Sequence, residues 1–358
     1  MNIKEKCRVG VSGLAVMLIM SVVSQAASTE KLTVVNQGGA PGDAQRKAVF
    51  EPFTAKTGIG IVADTYNQEL AKIRAQIETG NLIWDAASVH SLNESIGCDE
   101  GLLEPIDWSK LLPEADFKAV GGFGKCGAPY LVSPGGLVYD AERFSGNEAP
   151  KSWKDFWNIE KWPGKRGLPY QPDQVLEIAL ISDGVAPKDV PEVLAKPGGV
   201  DRAFAQLEKI KPHIVWWKTG DESMQLLLTK EIAMGYGWQG RVNVANRSNK
   251  RNLRIVWEAG YTSAVIYMAV MKGSPRKQEA IELIKYTLAA EPQAHYAELM
   301  GYPPANERSF ALLSEENRAS QPTKFLDRGM MQAGDLYIDF WRDNGDSIRQ
   351  RFSTFAAR

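Results

Sequence analysis

Histidine and cysteine are scarce in this sequence, and neither sign of charge is in excess. His90, His213 and His295 are the three histidines among 358 residues, and they lie too far apart in sequence to suggest a metal-binding motif. The 42 lysines and arginines balance 43 aspartates and glutamates, which gives a formal net charge of −1. We therefore expect no metal and no nucleic-acid partner, because nucleic-acid binding is typical of basic chains.

Motifs of the common catalytic and cofactor-binding loops are also missing. The sequence has no Gly-x-Ser-x-Gly elbow and no P-loop. Gly122, Gly124 and Gly127 form a Gly-x-Gly-x-x-Gly, but Pro129 follows too soon for the helix that a dinucleotide loop needs. Carboxylates are numerous, yet nothing selects an acid–base pair. We therefore expect neither catalytic residues nor a cofactor.

Long hydrophobic runs are absent apart from one at the start of the chain. Basic residues at Lys4, Lys6 and Arg8 precede an apolar stretch at 9–23, and small residues at 24–26 follow it. This order is typical of a secretory signal peptide, and about 15 apolar residues are too few for a membrane span. We expect residues 1–26 to be removed and the mature protein to reside in the periplasm.

Two cysteines, Cys98 and Cys126, remain after the predicted cleavage, because Cys7 belongs to the leader. Exported chains with two cysteines usually join them. The bridge would close a loop of about 29 residues, which contributes about 3 kcal/mol in the chain-entropy model. We predict a structural disulfide, since neither cysteine belongs to a Cys-x-x-Cys motif.

Strands and helices alternate along the first third of the chain, which predicts an α/β fold. The predicted strands there are 31–36, 59–66 and 84–89. Helices are predicted at 43–56 and 70–79, and Ser91 with Glu94 matches a capping box that would start another. This alternation predicts a parallel sheet whose ligands lie beyond the carboxyl ends of its strands, here 37–40 and 90–91.

A second strand–helix–strand set follows the glycine- and proline-rich segment at 121–133, where we place the first crossing between two domains. Its predicted strands are 167–170, 215–218 and 232–236. Two further strands, 253–257 and 265–271, flank a turn at 259–263 that we interpret as the return crossing. The tail at 336–358 is amphipathic and is predicted to wrap one domain.

The segment 231–241, EIAMGYGWQGR, combines a short apolar strand with Trp238 and Arg241 at its end. A flat ring can cover the apolar face of a small ligand, and a guanidinium pairs with a carboxylate. The alternative is a core tryptophan followed by a solvated arginine at a helix start, since most tryptophans are packing residues.

Several pieces of the chain resemble the periplasmic solute-binding proteins of bacterial ABC importers, in particular the spermidine/putrescine-binding-like branch of the family-1 extracellular binding proteins. The resemblance covers residues 31–345. The pieces that carry it are Gly38-Gly39, Ala44 to Ala48, Phe53, Thr57 to Ile59, Gly97 to Leu103, Ser152 to Trp157, Met234 to Trp238 and Met300 to Pro303.

The resemblance implies a two-lobed α/β fold, the type II periplasmic-binding-protein fold, with the ligand in the cleft between lobes. Lobe 1 would be residues 27–131 plus 265–303, and lobe 2 residues 132–264 plus 304–358. It also implies hinge closure on a small-molecule solute and recognition by an ABC permease in the inner membrane. We expect a monomer.

The expected ligand differs from a polyamine. Gln171 and Gln174 occupy the two positions that are acidic in polyamine binders, Ile266 replaces a third acid, and Gln37 replaces a tryptophan. We therefore predict a polar or carboxylate-bearing solute. The alternatives are a polyamine, with carboxylates supplied elsewhere, for instance by Asp173, and a secreted enzyme on the same scaffold.

The candidate ligand-binding residues combine the strand ends, the crossing turn and the positions that the resemblance indicates. They are Gln37, Gly38, Gly39, His90, Gln171, Gln174, Trp238, Arg241, Thr262 and Ser263. A structural role is an equal alternative for His90, and turn chemistry explains Thr262 and Ser263 just as well.

Overall fold

A computed structural model describes residues 31–357 of the chain. The predicted signal peptide, residues 1–26, lies outside the described residues. No helix between residues 31 and 357 is both long enough and apolar enough to cross a membrane.

Ten strands belong to one sheet in the described part of the chain. They are β1 Leu32–Asn36, β2 Ile61–Thr65, β3 Ala86–His90, β4 Ala128–Asp140, β5 Lys165–Pro169, β6 Ile214–Trp217, β7 Ile232–Trp238, β8 Leu253–Ile255, β9 Tyr261–Val270 and β10 Gly329–Met331. The strand order is β2-β1-β3-β9-β4-β7-β5-β6, with β10 beside β9 and β8 beside β4.

Helices connect the strands and cover the sheet. They are α1 Gly39–Gln45, α2 Glu51–Thr57, α3 Leu70–Thr79, α4 Ser91–Asp99, α5 Trp153–Trp157, α6 Pro172–Ser182, α7 Val190–Ala195, α8 Gly199–Glu208, α9 Gly220–Leu228, α10 Gln239–Asn249, α11 Lys277–Thr287, α12 Ala290–Met300, α13 Glu315–Ser320 and α14 Asp335–Ala357. The predicted α/β class is confirmed. The predicted lobe boundaries stay a prediction.

Two groups of parallel strands make up the sheet, and β4 and β9 join them. β1 pairs in parallel with β2 and β3, and β5 pairs in parallel with β6 and β7. β9 is antiparallel to both β3 and β4, and β4 is antiparallel to β7. The strands of one parallel group therefore run opposite to those of the other.

The carboxyl ends of the two groups converge on one short segment of β4 and β9. His90 ends β3 opposite Ile266 of β9, which in turn pairs with Leu131 of β4. Trp238 ends β7 opposite Gly135 of β4. Positions 131 and 135 are only four residues apart, so the two groups approach the same place from opposite directions.

Both segments where crossings are predicted contain strand residues in the structure. Residues 261–263 belong to β9 and not to the predicted turn, and the short helical segment Trp257–Ala259 precedes them. β4 begins at Ala128, inside the glycine- and proline-rich segment where the first crossing is predicted. Its Gly135 lets the Tyr236 hydroxyl approach the backbone, because a Cβ there would collide with that oxygen.

Two predicted helix starts are also wrong. The first helix begins at Gly39 and not at residue 43, because Pro41 is compatible with a first helical turn. Ser91 is the first residue of α4 and caps nothing, since its hydroxyl donates to the Gln332 carbonyl at 2.6 Å. Glu94 instead accepts the backbone N–H groups of Cys126 and Gly127.

The predicted disulfide between Cys98 and Cys126 is present, with a Cα–Cα distance of 5.7 Å. It ties α4 to the start of β4. Cys126 is fully buried, and its neighbours in the core include Val89 and Tyr267.

Replacing both cysteines, as Cys98→Ser with Cys126→Ser, should lower the free energy of unfolding by about 3 kcal/mol, because the unfolded chain regains the entropy of the closed loop. Urea unfolding of the oxidised protein and the double variant measures this. Reducing agent should destabilise the wild type by a similar amount and leave the variant unchanged. Equal unfolding midpoints would contradict a stabilising bridge.

Candidate functional site

A cavity of about 290 Å³ lies where the carboxyl ends of the two strand groups converge. Residues at or just after the carboxyl ends of β1, β2 and β3 line one side, and residues at or just after those of β5, β6 and β7 line the other. Leu131, Ser133, Ala264 and Ile266 of the crossing strands lie between them. The site is therefore assembled from both groups of parallel strands.

Seven of the ten candidate ligand-binding residues line this cavity. They are Gln37, Gly39, His90, Gln171, Gln174, Trp238 and Arg241. Contact of each with a ligand stays a prediction.

Gly38, Thr262 and Ser263 are outside the cavity lining. The Gly38 N–H donates to Asn36 Oδ1 at 2.8 Å, and its φ of 60° suits glycine. The Thr262 hydroxyl is buried against the Tyr236 hydroxyl at 2.9 Å. The Ser263 carbonyl accepts the backbone N–H of Gln332 at 2.7 Å. Their contact with a ligand also stays a prediction.

Arg241 lies in the first turn of α10, with 8% of its side chain exposed, and pairs with Asp221 at the start of α9. A Cβ on Gly220 would collide with the Arg241 side chain, and a Cβ on Gly39 would collide with the Asp221 carboxylate. The ion pair therefore fits closely against two glycine backbones. Because a guanidinium carries five N–H donors, Arg241 can bind a second carboxylate beside Asp221.

Trp238 is held edge-on by two aromatic neighbours. Its ring centroid is 5.4 Å from that of Trp217 and 5.5 Å from that of Tyr236, with interplanar angles of 72° and 89°. These contacts fix the orientation of the indole, which is half-buried and lines the cavity.

Buried tyrosines supply hydroxyl groups near Arg241. Burial raises the pKa of Tyr130, Tyr296 and Tyr302, and the charge of Arg241 partly offsets this for Tyr296 and Tyr302. The phenols are therefore protonated donors at neutral pH. The Tyr130 hydroxyl is buried without a hydrogen-bond partner among the residues described, although its ring lines the cavity.

A cluster of polar side chains occupies the wall formed by β2 and β3. The Ser88 carbonyl accepts hydrogen bonds from the Tyr66 hydroxyl at 2.8 Å, Gln68 Nε2 at 2.8 Å and Gln37 Nε2 at 3.2 Å. Gln68 Oε1 accepts the His90 N–H at 3.1 Å. These bonds fix the wall before a ligand enters.

The opposite wall contains a strained turn at the start of α6. Gln174 has φ 76° and ψ −41°, and it interrupts the helix after Asp173. Gln171 Nε2 donates to Gln174 Oε1 at 3.2 Å. Left-handed backbone at a glutamine costs about 1–3 kcal/mol, and such strain clusters at binding sites.

Asp173 does not line the cavity but lies close to His90. Burial raises the pKa of Asp173, and the charges of His90 and Arg349 lower it in part. Burial lowers the pKa of His90, while Asp173 raises it. Asp173 is therefore not a carboxylate that is exposed to the cavity.

The charges that line the cavity favour an anion. Asp221 is the one carboxylate among its lining residues, and it is already paired, whereas Lys218 and Arg241 are both cationic. Between residues 31 and 357, no group of three or more histidine, cysteine, aspartate or glutamate side chains is placed to hold a metal ion.

Sequence reasoning missed several lining residues, some of which follow strands. Tyr66 and Gln68 follow β2, and Lys218 and Asp221 follow β6, so the rule of strand carboxyl ends would have found them. Other missed residues come from distant helices and loops, where no local pattern marks them: Tyr296, Tyr302 and Gln332.

Comparison with known proteins agrees with this architecture. The family model described as bacterial extracellular solute-binding protein matches residues 48–322. A gamma-aminobutyric acid-binding protein of Pseudomonas aeruginosa is 37% identical over 332 residues, which cover 93% of this chain and 92% of the relative. A putrescine/agmatine-binding protein of the same organism is 22% identical over 298 residues, or 78% of this chain and 80% of the relative.

Among solved structures, the PBP AgtB from A. tumefaciens R10 in complex with agropinic acid superposes with a TM-score of 0.81 at 27% identity. The match covers 93% of this chain and 100% of AgtB. The predicted resemblance to two-lobed binding proteins is confirmed. The chain thus belongs to the bacterial extracellular solute-binding protein family, whose members bind small solutes for ABC transporters.

Proposed function

We propose that this protein captures a small solute that carries a carboxylate and delivers it to an ABC permease of the inner membrane. The observation that supports this most directly is Arg241, a buried guanidinium on the cavity wall whose only neighbouring acid in the lining is Asp221. Bidentate pairing with a guanidinium is among the strongest recognition modes for a carboxylate.

Two further features favour an anionic group at this place. The helix α10 begins at the cavity without a side-chain cap, so its first N–H groups and its dipole favour negative charge there. The buried hydroxyls of Tyr296 and Tyr302 add neutral donors near Arg241.

An amino acid with separated charges, such as gamma-aminobutyric acid, is the ligand that we favour. Arg241 would bind its carboxylate, and Trp238 would cover its apolar chain. The relatives support this choice, since one is named for gamma-aminobutyric acid and another is in complex with agropinic acid.

A polyamine is the second candidate, because a putrescine/agmatine-binding protein is a relative. The charges weigh against it. A dication in this cavity would meet Lys218 and Arg241, and the one lining carboxylate is already paired. An unpaired buried charge is costly.

The other parts of the proposal follow from the family. Residues 1–26 would direct export to the periplasm, and the mature protein would act as a monomer without catalytic activity. Mass spectrometry of the exported protein should give a chain that begins at Ala27, and light scattering should give one monomeric species. Retention of the leader, or a stable dimer, would contradict these expectations.

A thermal-melting panel tests the ligand class. The panel holds gamma-aminobutyric acid, other amino acids, dicarboxylates, sugar–amino-acid conjugates, putrescine and spermidine. A ligand at 100 times its Kd stabilises the folded state by about 2.7 kcal/mol, which shifts the Tm measurably. We expect carboxylate-bearing compounds to raise the Tm. Stabilisation by polyamines alone would overturn the proposal.

Arg241→Ala should weaken binding of the carboxylate ligand by about 30-fold or more, since losing one partner of a buried charge pair costs about 2 kcal/mol or more. Arg241→Lys should recover only part of the loss, because lysine has no planar fork. Isothermal titration calorimetry gives each Kd.

Arg247→Ala is the matched control, since it removes the same charge from an exposed position of the same helix, outside the cavity lining. It should leave the Kd unchanged. An equal loss in both variants, or none in Arg241→Ala, would rule out Arg241 as the carboxylate anchor.

A further inference from the structure

A buried carboxyl group lies behind the cavity and has no role in the site described so far. Glu177 belongs to α6 and is fully buried. Its Oε1 accepts the Tyr337 hydroxyl at 2.9 Å, and its Oε2 has no hydrogen-bond partner among the residues described. Burying a carboxyl group with one oxygen unpaired lowers the stability of the folded state.

The hydrogen bond from Tyr337 continues to the cavity wall. Gln332 Nε2 donates to the Tyr337 hydroxyl oxygen at 3.0 Å, and Gln332 lines the cavity. A phenol has one proton, which Tyr337 gives to Glu177, so its oxygen can only accept from Gln332. The amide nitrogen of Gln332 therefore faces Tyr337, and the amide oxygen is the free end.

The backbone of Gln332 is fixed on both sides. Its N–H donates to the Ser263 carbonyl at 2.7 Å, and its carbonyl accepts the Ser91 hydroxyl at 2.6 Å. Its Oε1 accepts no hydrogen bond from any described residue. The side-chain amide of Gln332 could still be flipped to exchange its oxygen and nitrogen, and its hydrogen bond to Tyr337 fixes which of the two orientations it takes.

Glu177 also supports the second glutamine of the cavity wall. The backbone N–H groups of Gln174 and of Glu177 itself interact with the Glu177 carboxylate and favour its charged form. Gln174 is the residue with positive φ whose side chain lines the cavity. The carboxyl group of Glu177 is thus hydrogen-bonded to Tyr337 and lies close to the strained turn.

We propose that Glu177, acting through Tyr337, is a positioning residue that makes Gln332 present its amide oxygen to the cavity, and so selects ligands with a hydrogen-bond donor such as an ammonium group. This inference rests on the proposed function, since it assumes that the solute occupies this cavity. Together with Arg241, it makes the cavity suited to a ligand that has both a carboxylate and a donor.

The chain keeps this direction whenever Oε1 of Glu177, the oxygen that faces Tyr337, carries no proton. Burial first, and then the charge of Asp173, raises the pKa of Glu177 to about 8. The ionised form can only accept from Tyr337, and the protonated form accepts from it when the proton is on Oε2. The ionisable groups around the Glu177–Asp173 pair are His90, Tyr236, Tyr337 and Arg349.

Three variants separate positioning from packing. Glu177→Gln keeps an acceptor of the same shape, Glu177→Leu removes it, and Tyr337→Phe removes the connecting hydroxyl. The probes are gamma-aminobutyric acid and butyrate, which has the same carboxylate and chain without the ammonium. Calorimetry gives the ratio of the two Kd values for each protein.

We expect the wild type to prefer gamma-aminobutyric acid. Glu177→Leu and Tyr337→Phe should reduce that preference by roughly ten- to hundredfold, the effect of one hydrogen bond to a charged group, while the Kd for butyrate changes little. Glu177→Gln should keep the preference. Equal weakening for both probes, or an unchanged preference in Glu177→Leu, would overturn the proposal.

Two readouts do not depend on these probes. The side-chain amide protons of Gln332 should exchange slowly with solvent in the wild type and Glu177→Gln, and faster in Glu177→Leu and Tyr337→Phe. The raised pKa also means that the stabilising effect of neutral Glu177 is complete below pH about 4.5 and is lost as the pH rises through about 8. Glu177→Gln should flatten this decline in Tm.

If the wild type binds neither probe, the proposed ligand fails, and the amide exchange of Gln332 still decides whether the chain from Glu177 exists. If both probes bind equally in the wild type and exchange is unaffected by Glu177→Leu, the positioning role fails while the carboxylate site remains.

Discussion

The antiparallel pairing of β4 with β9 is the constraint on which the rest of this structure depends. The strands of each parallel group end together on one side of the sheet. Because the two groups run in opposite directions, a flat sheet would place these two sets of strand ends far apart. Here β3 ends opposite Ile266 of β9, which pairs with Leu131 of β4, and β7 ends opposite Gly135 of β4. Both sets of helix N-termini and loop side chains therefore meet at one cavity.

The ion pair between Arg241 and Asp221 depends on that convergence. Asp221 reaches the backbone of Gly39, which follows β1, while Arg241 lies against Gly220, which follows β6. A side chain at either glycine would push the pair apart. Close contact with the backbone of Gly39 and Gly220 thus holds the two charged side chains in place. A solute that enters the cavity meets a guanidinium whose position is already fixed.

The sequence predicted correctly those features of the fold that depend on residues close together in the chain. The helix predicted at 70–79 is present as α3, and Gly80 with positive φ follows it. Ser91 failed because its hydroxyl finds a partner at Gln332, 241 residues away, which no local rule can anticipate. Trp238 and Arg241 were found because they follow a strand; Tyr302 and Gln332 reach the cavity only through the tertiary fold.

Stability alone does not explain the buried hydrogen-bonded chain of Glu177, Tyr337 and Gln332. A leucine at 177 would pack among the apolar neighbours of α6 and avoid the desolvation of a carboxyl group whose second oxygen is unpaired. Polar groups buried at such a cost fix one arrangement of their partners. The partner that reaches the cavity is an amide, the side chain whose two ends differ in hydrogen bonding and almost not in shape. Whether Gln332 presents its amide oxygen or its amide nitrogen therefore alters which ligands bind, while the cavity volume stays the same.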